Sequence, residues 1–239
     1  MLRATPVADR PSHSVKHNTE LLCPQKQNVL AGRPFAILAE IPLMSGKANR
    51  MRAWTRQVPQ VWDEINNTGR YLVREEYVRA KNAEISDYYI GLYRWLTEMC
   101  RGRVQMPAEA QFPIWLALTE EQRLPAAPNT ISLTLDVPDE HLFVLDYDRW
   151  GYRVNLWYVP RDAADEAAHN EELARFGIGN EAALISGELG NHYPMLKRKI
   201  ESSWQRVLAA PNPRMDLNVG AIWEILPEWV QEVEIYEGA

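Results

Sequence analysis

From Met51 onward, apolar positions recur with short, element-like periods. Arg52–Arg56 alternates as a strand does. Pro59 then suits the first turn of a helix, Val61, Trp62 and Ile65 form its apolar stripe, and Gly69 is placed to end it in a left-handed cap. Tyr71–Arg74 reads as a short extended segment. Ser86 is a candidate N-cap for a helix running to about Arg101. Its Tyr89, Leu92, Tyr93, Leu96 and Cys100 fall at three- and four-residue intervals, and Gly102 follows as a stop. Phe112–Leu118 predicts a turn and a buried segment of strand or helix type.

Ile131–Val137 and Leu142–Asp146 predict strands separated by a Pro-Asp turn. Asp162–Arg175 is an acidic, Ala-rich surface helix. Gly177–Tyr193 is a punctuated connection with room for a helical turn or two. Met195–Leu208 predicts a helix facing inward through Leu196, Ile200, Trp204 and Val207/Leu208. The C-terminal run VGAIWEILPEWVQEVEIY places Val219, Ala221, Trp223 and Ile225 on one face and Gly220, Ile222, Glu224 and Leu226 on the other. Both faces are mostly apolar, so this is an interior strand, with Pro227 separating it from a last strand. The sum is an α+β protein: small mixed or antiparallel sheets with flanking helices around a cleft. Trp54, Trp62, Leu92, Leu96, Leu135, Val144, Trp204, Trp223 and Ile225 are its expected core.

Residues 1–34 are polar and lack periodicity, and Phe35–Met44 is a short apolar run broken by Glu40 and Pro42. Residues 1–50 are expected to be a disordered or loosely attached arm, and 51–239 a single α+β domain. Met51 is an alternative natural start. The arm carries seven Lys and Arg against three Asp and Glu, whereas the body carries 19 against 29. An acidic body does not attract nucleic acid by its overall field. Cys23 and Cys100 form no CxxC, and the five histidines show no metal-binding spacing. No metal is therefore expected. No apolar run is long enough to cross a bilayer and no leader pattern is present, so a cytoplasmic protein is expected.

One carboxylate stands out. Glu224 sits within an apolar run, where it must find a partner, reach a cleft or stay protonated. It is the leading candidate for chemistry; the alternative is a structural ion pair with an arginine. The segment Asp146-Tyr147-Asp148-Arg149-Trp150 offers two carboxylates after a strand, a set suited to a hard cation or to acid–base work. Without a third carboxylate nearby, local structural roles are the other account. Asn155 closes the same segment. Ser203 lacks the context of a nucleophile. Nine Trp and ten Tyr against four Phe supply large rings with polar handles, fitted to core margins and cleft walls.

The segments AWTRQVPQVWDEINNTG (Ala53–Gly69), YRWLTEMCRGR (Tyr93–Arg103), FPIWLAL (Phe112–Leu118), LFVLDYDRWGYRVN (Leu142–Asn155), SWQRVL (Ser203–Leu208) and AIWEILPEWVQEV (Ala221–Val233) together resemble a bacterial domain-of-unknown-function family, DUF3841. They run through the body in order. The family has no established reaction. Relative to its pattern, Gly220 stands where Gln is usual and Gly151 where His is usual.

A second likeness, confined to the two ends of the body, is to the ADP-ribosyltransferase fold. That fold opens with a strand bearing a short polar pair, here Thr55 and Gln57, and a helix ending at Gly, here Gly69. It closes with a strand bearing a catalytic Glu, here Glu224, and a Pro turn before a last strand. The resemblance implies NAD in a cleft between two sheets. Thr55 or Gln57 would bind a ribose hydroxyl or the nicotinamide amide. Tyr71, Tyr88 or Trp95 would stack on the nicotinamide, and Glu224 would steady the cationic transition state. The acceptor would be a nucleic acid, a protein or a small molecule. The alternative is a non-catalytic binding module whose aromatic-lined cleft holds a small ligand or a protein partner. Convergence of Glu224 with Thr55 and Gln57 on one pocket discriminates between the two.

Overall fold

A computed structural model describes residues 49–237. The expectations for the arm, Phe35–Met44 and Cys23 lie outside the described residues. In chain order the elements begin with strand β1 (Arg50–Gln57) and helices α1 (Pro59–Thr68), α2 (Glu75–Asn82) and α3 (Ser86–Cys100). Strands β2 (Ile114–Leu116), β3 (Thr130–Pro138) and β4 (Phe143–Asp146) follow. Next come helices α4 (Tyr147–Val154), α5 (Ala163–Arg175), α6 (Ala183–Ser186), α7 (Leu189–His192) and α8 (Pro194–Ser203). Strands β5 (Asn218–Ile222) and β6 (Val230–Tyr236) close the order. This is an α+β architecture with two three-stranded antiparallel sheets, ordered β1-β3-β6 and β2-β5-β4.

The middle strand of each sheet is the most buried. β3 buries Ile131, Leu133, Leu135 and Val137 on one face, and Ser132 and Thr134 are also covered. All five residues of β5 are buried. Gly220 is forced there by packing. A Cβ at this position would lie 2.8 Å from Leu118 Cδ2 and 3.1 Å from both Leu116 Cβ and Leu142 Cδ1. Two short bridges tie neighbouring segments together. Trp54 and Ala117 exchange backbone hydrogen bonds of 3.0 and 2.8 Å between β1 and the end of β2, and Tyr71 and Ile225 do the same at 2.9 and 3.0 Å.

Strands β3 and β4 are consecutive yet belong to different sheets, because the 3-10 turn Asp139–His141 redirects the chain. β5 ends at Ile222, so Glu224 lies beyond the regular strand, at a bend before the Tyr71–Ile225 bridge. β6 crosses back to the first sheet, which places the opening and closing strands on either side of β3.

Helix α1 follows its sequence signals. Pro59 occupies its first turn, Val61 and Ile65 are buried, and Gly69 at φ +77° donates its N–H to Ile65 O. Burial of two such side chains contributes about 1.5–3 kcal/mol each. Helix α3 buries the expected stripe, and Gly102 at φ +77° follows it. Ser86 is not its cap. Helix α2 and a 3-10 turn (Ala83–Ile85) run directly into α3, so Ser86 is already helical and buried. α2 was not foreseen: of EEYVRAKN only Val78 is buried, so it carries no apolar stripe. The predicted Met195–Leu208 helix is α8 continued as a 3-10 segment (Trp204–Leu208), with Leu196, Ile200, Trp204, Val207 and Leu208 buried.

Two apolar clusters result. One gathers α3 to α8 and the face of β5 carrying Ala221 and Trp223; the other lies around α1, β3 and the β2–β5 pair. Of the expected core, Trp62 and Val144 are half-buried and the other seven are buried. Cys100 is buried with a free thiol, which burial pushes up to about 12.

Candidate functional site

A cavity of about 530 Å³ opens where β1 meets β2. Its floor comes from Trp54–Gln57 of β1 and Ile114–Ala117 at β2. Tyr71 and Val73 form one side, and helix α2 closes another with Tyr77, Val78, Ala80, Lys81 and Asn82. Tyr93, Gln122, Arg123, Ser132 and Asn218 complete much of the wall. Five aromatic residues therefore surround one space. Tyr71 and Tyr77 have ring centroids 6.3 Å apart, and Tyr93 and Trp115 5.9 Å. Its size and mixed wall are those of a small-molecule site.

The polar groups of this wall divide into committed and open ones. The Gln122 side-chain oxygen accepts from Leu118 and Thr119 N–H, and its nitrogen donates to Asp216 and Asn218 carbonyls. Asn218 is tied to Asn212 and Arg214 in the same way. Both brace the loops. Gln57 Nε2 donates to Thr55 Oγ1 at 2.7 Å, and the Gln57 side-chain oxygen has no hydrogen bond among the described residues.

Among the described residues, the charged groups of the lining are Arg56, Lys81 and Arg123, and none is a carboxylate. Arg123 is paired with Glu234 at 2.6 Å. Arg56 Nη1 donates to the Pro125 carbonyl at 2.7 Å. Lys81 has no hydrogen bond or ion pair among the described residues. Desolvation, with the Arg56 charge adding to it, pushes the Lys81 ammonium down to about 8. Lys81 is nonetheless exposed to solvent. A group inside a wide concavity meets both conditions, because water reaches it while protein surrounds it on most sides.

Glu224 is not among the lining residues. Its side chain is 12 % exposed and its Oε1 lies 3.9 Å from Nδ1 of His141, which is 18 % exposed. Nδ1 of His141 is buried without a hydrogen bond, and the ring packs edge-on against Trp229 at 4.8 Å. Burial raises the Glu224 carboxyl above the usual range; His141 and Arg70 pull it back, and Glu109 and Glu228 push it further up. His141 escaped the sequence reading because it is distant from Glu224 along the chain and sits in no motif.

The remaining candidates are distributed as follows. Thr55, Gln57 and Tyr71 line the cavity, whereas Tyr88 and Trp95 do not. The Tyr88 hydroxyl donates to the Val154 carbonyl, and Trp95 packs against the Arg153 guanidinium at 4.8 Å. Asp146 caps α4, its Oδ1 accepting from Arg149 N–H at 3.0 Å and its Oδ2 from Asn212 Nδ2 at 3.2 Å. Asp148 is exposed in the first turn of α4, Trp150 is 1 % exposed in the core, and Asn155 donates to Gly151 O at the helix end. Among the described residues no group of three or more His, Cys, Asp or Glu side chains is arranged to hold a metal ion. No described helix is long and apolar enough to cross a membrane.

Two antiparallel three-stranded sheets with flanking helices and a cavity at their junction define the class: an α+β protein. The chain belongs to the family described as Domain of unknown function (DUF3841), whose family model matches residues 52–231. No curated protein and no solved structure matches it.

Proposed function

We propose that this protein binds a small planar ligand in the cavity between β1, β2 and α2. The observation that carries this is the cavity itself, in which Trp54, Tyr71, Tyr77, Tyr93 and Trp115 meet around about 530 Å³ beside the open Gln57 amide oxygen. Aromatic walls recognise flat ligands through stacking and area burial, and one open polar group supplies orientation. Thermal shift with indole, adenosine and NAD tests this, run beside Ala80→Trp, which places a large ring on the cavity wall. At least one of these ligands should raise the wild-type melting temperature, since a ligand that binds only the folded state stabilises it. The shift should vanish in a folded Ala80→Trp variant. No shift with any of them, or an equal shift in the variant, would overturn the assignment.

An NAD-dependent ADP-ribosyl transferase is the second reading, and Glu224 is the observation in its favour. Its carboxyl is mostly covered, held above the usual range and placed 3.9 Å from His141. Such a group is suited to the vicinity of a developing positive charge. Its position outside the cavity lining favours the binding role. NAD would then enter the cavity through its rings, with Thr55, Gln57 and Tyr71 as contacts. Mass analysis for nicotinamide release decides: a transferase releases it, and Glu224→Gln lowers the rate by about a hundredfold. No release by the wild type sinks this reading.

A further inference from the structure

We propose that the ligand of this cavity is an anion, a planar-ring compound of mononucleotide size bearing a phosphate that is met by Lys81 and Arg56. This rests on the assignment of the cavity as a ligand site and adds the charge of what enters it.

The argument begins with composition. Acidic residues outnumber basic ones in this chain, 32 to 26. Yet among the described residues the cavity is lined by three cations and no carboxylate. Of the three, Arg123 already has its counter-charge in Glu234, 2.6 Å away. Arg56 meets only a backbone carbonyl, and Lys81 has no partner among the described residues. Two like charges on one enclosure without a counter-charge repel each other, and the protein around Lys81 also costs its ammonium hydration. The strand β1 and helix α2 that carry them hold them there all the same. An anion between them removes both penalties.

A phosphate suits this pair better than a single carboxylate. It presents several oxygens and up to two charges to an ammonium and a guanidinium arriving from different elements. The aromatic residues of the same lining, Trp115 of β2 and Tyr77 of α2 among them, border the space that a ring attached to that phosphate would occupy. The other charged and phenolic groups lining the cavity among the described residues are Arg56, Arg123, Tyr71, Tyr77 and Tyr93. Burial raises Tyr71 and Tyr93 well above their ordinary range, so those two stay neutral and supply no competing anion.

Calorimetric titration of the full chain with AMP, adenosine, inorganic phosphate and indole tests this at low ionic strength. AMP should bind at least about tenfold more tightly than adenosine, the equivalent of one charge pair in a partly dry site. Inorganic phosphate should compete weakly with AMP. Lys81→Met keeps the apolar stem and should bring AMP and adenosine to within about threefold of each other, whereas Lys81→Arg should retain most of the preference. Adenosine binding as tightly as AMP, a preference that survives Lys81→Met, or failure of both AMP and adenosine to bind at millimolar concentration would overturn the inference. Binding of indole or adenosine alone would leave the cavity a ligand site and remove only its anion specificity.

Discussion

The guanidinium of Arg153 lies 3.9 Å from the ring centroid of Trp204. Trp95 approaches it from elsewhere at 4.8 Å, so two indoles hold one cation. Arg153 is 7 % exposed, and its Nε and Nη1 have no hydrogen bond among the described residues. Burial lowers its pKa, while the neighbouring Tyr88 and Glu201 offset part of that effect. Cation–π attraction of about 2 kcal/mol or more is available in such a dry place. The contact joins α4 to the 3-10 turn after α8 and brings α3 against both.

Replacement of Arg153 therefore separates charge from packing. Arg153→Ala leaves a hole among Trp95, Trp204 and Tyr88 and should cost about 2–4 kcal/mol. Arg153→Met fills most of that volume without a buried charge and should change stability by less than about 1 kcal/mol, in either direction. Urea denaturation of the two variants checks this. Equal losses would show that the charge itself is what the site requires.

Gly220 and Gly151 should behave oppositely when a side chain is added. At Gly220 a Cβ meets Leu118, Leu116 and Leu142 within 2.8–3.1 Å, so Gly220→Ala should destabilise by about 1–3 kcal/mol and Gly220→Gln by more. At Gly151, in helix α4, a Cβ meets nothing within 4 Å. Gly151→Ala should stabilise by about 0.5–1 kcal/mol, because alanine surrenders less backbone entropy in a helix. Melting temperatures of the three variants decide.

Glu224 gives a pH-dependent outcome. Its folded pKa is raised, chiefly by burial, so in a window just above the ordinary glutamate range the folded state binds more protons than the unfolded chain. The contribution of Glu224 is then fully present below that range and is lost as pH rises through the folded value. Glu224→Gln should flatten this part of the stability curve and leave the melting temperature at neutral pH equal to or above that of the wild type. A clear fall at neutral pH would mean that the ionised carboxylate holds the fold through His141.

Lys81 titrates the other way. Its folded pKa is pushed down to about 8, below the unfolded value, so between about 8 and the ordinary lysine value near 10.4 the unfolded chain binds more protons. Stability of the unliganded protein should rise with pH across that window, and Lys81→Met should remove the rise. AMP affinity should fall over the same upward step, as the ammonium loses its charge. An affinity that stays level from pH 7 to 9.5 would exclude Lys81 from the ligand's charge.

How much could be read in advance varied with how local the signal was. Pro59, Gly69, Gly102 and the stripes of α1 and α3 act within a few residues, so those elements were legible in the chain. Strand β3 was legible from its alternation, Ile131, Leu133, Leu135 and Val137 against Ser132, Thr134 and Asp136, and β5 from its nearly continuous apolar run. Helix α2 was not, since EEYVRAKN has one buried residue and its helicity rests on packing against α3 and continuity with it. The cavity wall that α2 completes was therefore hidden as well. Thr55, Gln57 and Tyr71 were marked as ligand contacts, and all three line the cavity. Lys81 and Arg56 carried no mark, because a lysine in a polar helix and an arginine in a strand look like ordinary surface groups.

Local chain chemistry settles the caps, the turns and the side of each helix that must leave water, because hydrogen bonding and hydrophobic period operate over a turn or two. The assignment of strands to sheets belongs to a longer scale. β3 and β4 are divided by a 3-10 turn of three residues, and β6 returns to β3 past a bend at Glu224. Nothing in either segment specifies its partner strand. That choice follows from which apolar faces can cover each other in the assembled core, and with it come the placing of Arg56 and Lys81 on one cavity wall and the approach of Glu224 to His141.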